Sequence, residues 1–520
     1  MSENENNVIT KGKRGLLRII FGRTMVILLL LLANFALAFS FMLDIIQGLP
    51  ILFGSVEIFT AAMLIHVIST RDNPSVKLSW AFVIATVPLL GAVLYSFVRL
   101  DLGHRLTRKL LERSIEISTP FLPEQKELIH QIRQEDKNLY NLSHYLRNHG
   151  NFPVYANTRV TYFPLGEDMF REMLARMEQA EKFIFLEFFL VSEGYMWGSI
   201  LDVLRRKVAE GVEVRVLYDG MNAFTNLPYG YPKELEKMGI RCKMFAPIRP
   251  FISTHYNNRD HRKILVVDGH TAFTGGINLE DRYINLGSPY GHWKDTAVML
   301  RGDAAQSFTM MFLQMWNHNE REQIFAPYLA LPEHPIPADG YVIPYGDSPM
   351  DDEHVGELVY LDIINRAEDY LYIMTPYLIP DNELITALQF AAKRGVDVRL
   401  ILPGIPDKRT VYALSRSYYR ELLEAGIKIY EYTPGFVHAK VMLSDDRQGV
   451  VGTINLDYRS LYHHFECGAY LYKVQALEDI RSDFLQTQGK CRRIYPGQNV
   501  HGSLFARIFA YFAKFAAPLM

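Results

Sequence analysis

The chain has 520 residues, enough for two or three domains that each bury a core. Its 55 Lys and Arg against 57 Asp and Glu leave a formal charge of -2, which excludes the basic surplus typical of a nucleic-acid binder. Three widely spaced cysteines, Cys242, Cys467 and Cys491, form neither a disulfide framework nor a zinc site alone, and no Gly-rich loop ending in Lys-Ser/Thr supports nucleotide hydrolysis.

Apolar residues crowd into the first hundred positions. Residues 25–43 read MVILLLLLANFALAFSFML, about the length that crosses a bilayer core as a helix, and residues 49–68 and 78–98 are two further apolar runs. Ala36-Leu37-Ala38 resembles a cleavage site, but the residues after it stay apolar, so an uncleaved anchor is expected. Lys11, Lys13, Arg14, Arg18 and Arg23 precede the first run, and Arg99, Arg105, Arg108 and Lys109 follow the last. Both flanks ask for the cytoplasmic side, which two spans satisfy and three do not. The expectation is a multi-pass cell-membrane protein with two or three spans in residues 1–115 and its main domain on the cytoplasmic face. The tail, SLFARIFAYFAKFAAPLM, either lies on a membrane as an amphipathic helix or packs on the protein.

From about residue 151 onward, short β-branched runs alternate with helical patterns, the signature of α/β layers. Their order repeats. EKFIFLEFFLVSEG, EGVEVRVLYDG, LEKMGIRCKMFAP and DHRKILVVDG in one half answer EDYLYIMTPYLIPD, RGVDVRLILPG, LLEAGIKIYEYTP and VHAKVMLSDD in the other. The match continues from TGGINLEDR to VGTINLDYR, and the spacing from His261 to Asn278 equals that from His438 to Asn455. A duplicated α/β domain follows, with halves at 116–335 and 336–520, each a mixed sheet flanked by helices and related by a pseudo-twofold.

Alternate residues of a strand share a face, so His261 lies with Lys263 and His438 with Lys440. Asp268-Gly269 reads as a tight turn into a second strand, after which Asn278 emerges. One His-x-Lys pair is usually a solvated face, but two copies supply two imidazoles, two ammonium groups and two carboxamides, Asn278 and Asn455. Lysine and asparagine suit the non-bridging oxygens of a phosphate, and imidazole serves as nucleophile or acid near neutral pH. Such a site needs no metal and no other cofactor.

The repeated H-x-K-x4-D, complete at His261, Lys263, Asp268 and at His438, Lys440, Asp445, resembles the signature of the phospholipase D superfamily over about residues 150 to 490. NNRDHRK, TGGIN, HWKDT, MTPYLIPD and GTINLDYRS, with RDNPSVKLSWAFVIATVPLLG upstream, resemble its bacterial cardiolipin synthase branch. The resemblance implies that all six motif residues are catalytic, and that a phosphatidyl group passes between two phosphatidylglycerol molecules through a phosphatidyl-histidine to give cardiolipin and glycerol. It implies His261 as nucleophile, His438 as acid and then base, and Asp295 and Glu466 as the carboxylates that hold the two imidazoles. Asp268 and Asp445 have the opposite strand parity from the histidines, which leaves a turn or scaffold role equally open.

Two departures from the family pattern stand out: Arg282 where Glu is common, and His464 where Asn is common. Both bear on headgroup selection rather than on catalysis. His255, His292 and His463 read as structural, and Thr375-Pro376-Tyr377 as a shaper of the cleft. The expected partners are phosphatidylglycerol, cardiolipin and the lipid bilayer, without nucleic acid; nothing in the sequence sets an oligomeric state. The alternative function is a membrane-bound phospholipase D that hydrolyses phospholipids or transfers phosphatidyl groups to other alcohols, since water and a lipid alcohol use the same catalytic residues. Asp219-Gly220 is followed by MNAF, so the Asp-Gly pattern of transferases with a CDP-activated donor is missing.

Overall fold

The computed structural model describes residues 50–99, 102–123, 125–247, 258–329, 336–498, 510 and 512–519. The first apolar run at 25–43, the basic residues before it, His255 and most of the C-terminal tail lie outside them. The described residues fall into two compact units, one drawn from residues 1–105 and 515–520, the other from 106–247 and 256–514.

The first unit contains helices Pro50–Ser69, Pro74–Thr86 and Pro88–Arg99. Asn73 starts the second by accepting from the Ser75 amide at 2.9 Å. The apolar run at 78–98 is not one span. Pro88 has no amide proton and its ring obstructs the preceding turn, so the run divides into helices of 13 and 12 residues. At 1.5 Å per residue each is about 20 Å long, short of the roughly 30 Å of a bilayer core. Among the described residues, no helix is long and apolar enough to cross a membrane. Val67, Ile84 and Tyr95 form a small core, while Ile58, Ile65, Ile68 and Leu78 are exposed. The Ser79 hydroxyl donates to the Phe515 carbonyl at 2.8 Å, and the Phe82 and Phe515 rings meet at 4.6 Å. The described end of the tail therefore packs on protein.

The second unit carries the duplication. Its first half has β1 Thr158–Phe163, β2 Phe183–Phe188, β3 Glu213–Asp219, β4 Arg241–Phe245, β5 Arg259–Asp260, β6 Lys263–Val267, β7 Thr271–Gly275, β8 His292–Lys294 and β9 Ala297–Gly302. Its second half has β10 Tyr341–Asp347, β11 Tyr370–Met374, β12 Leu378–Ile379, β13 Asp397–Pro403, β14 Lys428–Tyr432, β15 Gly435–Val437, β16 Val441–Ser444, β17 Gln448–Gly452, β18 Leu456–Asp457, β19 His464–Tyr472 and β20 Cys491–Ile494. The two sheets run β1-β9-β7-β6-β2-β3-β4 and β10-β19-β17-β16-β11-β13-β14-β20. Apart from the added β20, these are one order written twice. Both are mixed sheets, with parallel β2-β3-β4 and β11-β13-β14 joined to antiparallel neighbours.

Strands buried on both faces read as unbroken apolar runs. β6, Lys-Ile-Leu-Val-Val, and β16, Val-Met-Leu-Ser, are buried throughout. Helix Ala305–Asn317 is almost wholly buried, and its Phe308, Phe312, Met311 and Trp316 join Val441, Leu443 and Ala469 of the second half in one core. The halves also exchange strand segments: β5 pairs with the start of β19, and β15 pairs with β8. That exchange, reciprocal as a twofold requires, positions the site.

The motif aspartates take a different place from the catalytic one that the resemblance implies. Asp268 follows the last residue of β6, roughly 16 Å along the strand from Lys263. It turns there with φ 52°, and Asp445 turns with φ 56° after β16. Asp268 accepts from the amides of Glu181, Lys182 and Phe183, and Asp445 from those of Glu368, Asp369 and Tyr370, all at 2.8–2.9 Å. Each ties a hairpin to the start of the neighbouring central strand. Asp268→Ala is expected to destabilise the fold by about 1–3 kcal/mol in denaturant unfolding, because those amides lose their acceptor. The chain that remains folded should keep its turnover.

Candidate active site

β5 ends at Asp260 and β6 begins at Lys263, so His261 sits at the break between them. Its amide donates to the Phe465 carbonyl at 2.9 Å, across to the other half. Its Nδ1 lies 2.8 and 2.9 Å from the two carboxylate oxygens of Glu466, the residue after Phe465. The second copy repeats this in reverse: the His438 amide donates to the Lys294 carbonyl at 2.7 Å, and His438 Nδ1 lies 2.7 Å from Asp295 Oδ2. Each half thus supplies the carboxylate that holds the other half's histidine. With Nδ1–H pointed at a carboxylate, Nε2 of each ring keeps its lone pair.

The carboxylates are themselves held. Asp295 Oδ1 accepts from the Thr296 amide at 2.9 Å and comes so close to Gly276 that a Cβ there would lie 2.0 Å away. Thr453 takes the corresponding place in the second copy, and its hydroxyl donates to Glu466 Oε2. Both lysines are buried, and each ammonium donates to the carbonyl of its own motif's histidine. Lys440 Nζ also lies 2.8 Å from His438 Nδ1 and 3.1 Å from Nε2. Lys263 bears electrostatically on both imidazoles and both carboxylates, so the six groups share one centre.

Burial sets the protonation states. Desolvation lowers His261 to about 3, with Glu466 opposing and Lys263 assisting, and burial with Lys440 and Lys263 lowers His438 as well. Both imidazoles are neutral at pH 7 before substrate binds. Burial pushes Glu466 up, but His261 and Lys263 outweigh it and hold the carboxyl well below its usual range. Desolvation raises Asp295 to about 6 and lowers Lys263 to about 8 and Lys440 to about 7. Asp295 therefore loses its charge as pH falls through about 6, and the lysines lose theirs as pH rises through 7 to 8. The expected kcat/KM profile is a narrow bell between those limits. Lys440→Arg should move its alkaline limb upward, toward the about 8 at which Lys263 titrates, since guanidinium stays charged there.

The two asparagines differ. Asn278 Oδ1 accepts from the Leu190 amide at 3.0 Å and its Nδ2 donates to the Tyr283 hydroxyl at 2.8 Å, so it braces the site wall. Asn455 is buried and its Oδ1 has no hydrogen-bond partner, which leaves a carboxamide able to turn toward a ligand. No motif in the sequence marks the aromatic lining. Phe189 stands 5.0 Å from the His261 ring and 5.4 Å from Lys263 Nζ, while Tyr283 and Trp293 stand 5.4 and 5.2 Å from the His438 ring. Arg282 pairs with Glu280 at 2.7 Å, lies over Tyr283 and Trp293, and with Lys408 depresses His438. The Tyr377 hydroxyl donates to Asp407 at 2.6 Å beside that same wall.

Two copies of one sheet order, each presenting a histidine and a lysine to a shared centre, define a phospholipase D-like fold. A phosphatidylserine synthase of Haemophilus influenzae has it too, with a TM-score of 0.57 and 16% identity over 74% of this chain and 99% of that one. The family described as "Cardiolipin synthase, PLD-like domain" matches residues 173–316 and 360–487, and "Phospholipase_D-nuclease N-terminal" matches 58–99. A cardiolipin synthase of Halalkalibacterium halodurans is 32% identical over 478 residues, 90% of this chain and 93% of its own. A Streptococcus mutans protein described as uncharacterized is 52% identical over 459 residues, 88% of this chain and 99% of its own. The chain belongs to the cardiolipin synthase family of the phospholipase D superfamily, a family of phosphatidyltransferases.

Proposed function

We propose that the chain moves a phosphatidyl group from one phosphatidylglycerol to another, releasing glycerol and forming cardiolipin. The observation that carries this reading is the reciprocal pairing of His261 with Glu466 and of His438 with Asp295 around two buried lysines. His261 Nε2 attacks phosphorus while the bond to the glycerol oxygen breaks, and His438 gives that oxygen its proton. His438 then takes the proton of the incoming phosphatidylglycerol hydroxyl, whose oxygen attacks phosphorus and displaces His261. The first step needs His438 protonated, although burial and then Lys440, Lys263 and Arg282 depress it. A bound phosphodiester brings a negative charge that offsets those cations. Lys263, Lys440 and Asn455 stabilise the charge that grows on the non-bridging oxygens.

The aromatic walls at Phe189, Tyr283 and Trp293 favour a lipid alcohol over water in the second step. The same reading gives the halves a boundary near residue 336 and places the apolar helices from Pro50 to Arg99, with the run at 25–43, at the membrane that holds both substrates. The test is incubation of the full chain with phosphatidylglycerol as the sole lipid. Cardiolipin and free glycerol in equal amounts are expected. Phosphatidic acid without cardiolipin would replace the synthase reading with that of a phospholipase D.

A further inference from the structure

His464 occupies a position in which its side chain is 10% exposed and neither ring nitrogen has a hydrogen-bond partner. A buried polar group without a partner is costly to keep, and this one faces the catalytic centre. Its ring centroid is 5.4 Å from that of His261, and its Nδ1 is 3.7 Å from Glu466 Oε1. Glu466 Oε1 is also 2.8 Å from His261 Nδ1. One ligand atom from each of His261, His464 and Glu466 lies within 4.8 Å of the other two.

These separations have a chemical meaning. Metal–ligand bonds of about 2.1 Å in a tetrahedral site put neighbouring ligand atoms about 3.4 Å apart, between the 2.8 and 3.7 Å that flank Glu466. Two imidazoles and one carboxylate suit a borderline ion such as Zn²⁺, whereas Mg²⁺ and Ca²⁺ prefer oxygen donors alone.

We propose that His261, His464 and Glu466 form an inhibitory Zn²⁺ site inside the catalytic centre. Catalysis needs the Nδ1 proton of His261 directed at Glu466 and a lone pair on Nε2. Zn²⁺ takes the Nδ1 lone pair of the other tautomer, so the single ring proton moves to Nε2 and the nucleophilic lone pair is gone. Metal binding and attack on phosphorus thus exclude each other, and transfer stops without loss of the fold. The inhibition part rests on the proposed role of His261, whereas the binding part stands on geometry alone.

The experiment has two arms on the full chain in detergent. Equilibrium dialysis against buffered Zn²⁺ should find one ion per chain whose affinity falls roughly tenfold or more in His464→Asn and in His464→Gln. Co²⁺ in the unaltered chain should give the visible absorption of a four-coordinate nitrogen and oxygen site, a readout that needs no variant to fold. Turnover of phosphatidylglycerol, scaled to each chain's own rate in EDTA, should fall tenfold or more with Zn²⁺ in the unaltered chain and return on chelation, while His464→Asn shows little change. Absence of stoichiometric binding, equal affinity in both His464 variants, or full turnover with the ion bound would overturn the proposal. A chain that binds Zn²⁺ through His464 yet makes no cardiolipin would support the metal site and refute the lipid reading.

Discussion

His261→Ala is expected to lower phosphatidylglycerol turnover by roughly 10⁴-fold or more and to leave no covalent phosphatidyl-enzyme, since the imidazole assigned the attack is gone and His438 is assigned the proton transfers. His438→Ala should lose a similar factor for a different reason. Without an acid the glycerol oxygen would leave as an alkoxide, and without a base the second alcohol would attack unassisted. The two losses separate with a phosphatidyl ester of p-nitrophenol, whose leaving group needs no proton. On that substrate His438→Ala should release one equivalent of nitrophenolate in a burst and retain the phosphatidyl-enzyme, whereas His261→Ala should give no burst. The reverse outcome would exchange the two roles. Mass spectrometry of the quenched proteins checks the site, which should be His261.

The duplication is legible in the chain because both copies keep the same strand order, and order survives in sequence as the spacing of apolar runs. The β6–β7 hairpin is legible for the same local reason: Asp268-Gly269 turns with positive φ at both residues. What remains hidden is whatever depends on contacts between distant segments. Asp295 and Glu466 stand out through family resemblance, yet nothing local says that Asp295 serves His438 and Glu466 serves His261. That crossing comes from the exchange of β5 and β15 between the halves, strands of two and three residues with little periodicity of their own. The motif name drew Asp268 and Asp445 into the catalytic set, although strand parity already pointed them elsewhere. Phe189, Tyr283 and Trp293 read as ordinary core aromatics until the histidines are placed beside them. Pro88 inside the apolar run at 78–98 was visible throughout, and its helix-breaking chemistry outweighs the hydropathy that suggested one span.

The exchanged carboxylates lead to the second large effect. Glu466→Gln should cost roughly 10³–10⁴-fold in turnover with the fold intact, because an amide can donate to Nδ1 and so favour the tautomer whose Nε2 carries the proton. It also removes a negative charge from a buried centre just as the phosphorylated imidazole becomes cationic, and in that low-dielectric setting the charge is worth far more than in water. The Thr453 hydroxyl donates to Glu466 Oε2 and would face the new amide group, which adds to the misalignment. Asp295→Asn should cost a comparable factor on phosphatidylglycerol but act on the acid. Without Asp295, His438 has lost the anion that stabilises its protonated form, while burial and then Lys440, Lys263 and Arg282 continue to oppose it. The nitrophenyl ester again distinguishes them. Its burst should survive in Asp295→Asn, because that leaving group requires no acid, and should be slowed with turnover in Glu466→Gln, because the attack itself is impaired. The acid limb near pH 6 should also vanish in Asp295→Asn, since the group that titrates there is gone, and persist in Glu466→Gln. If both variants showed the same burst and the same acid limb, the two carboxylates would serve the site equally, and the division of labour between His261 and His438 would have to arise from the aromatic walls instead.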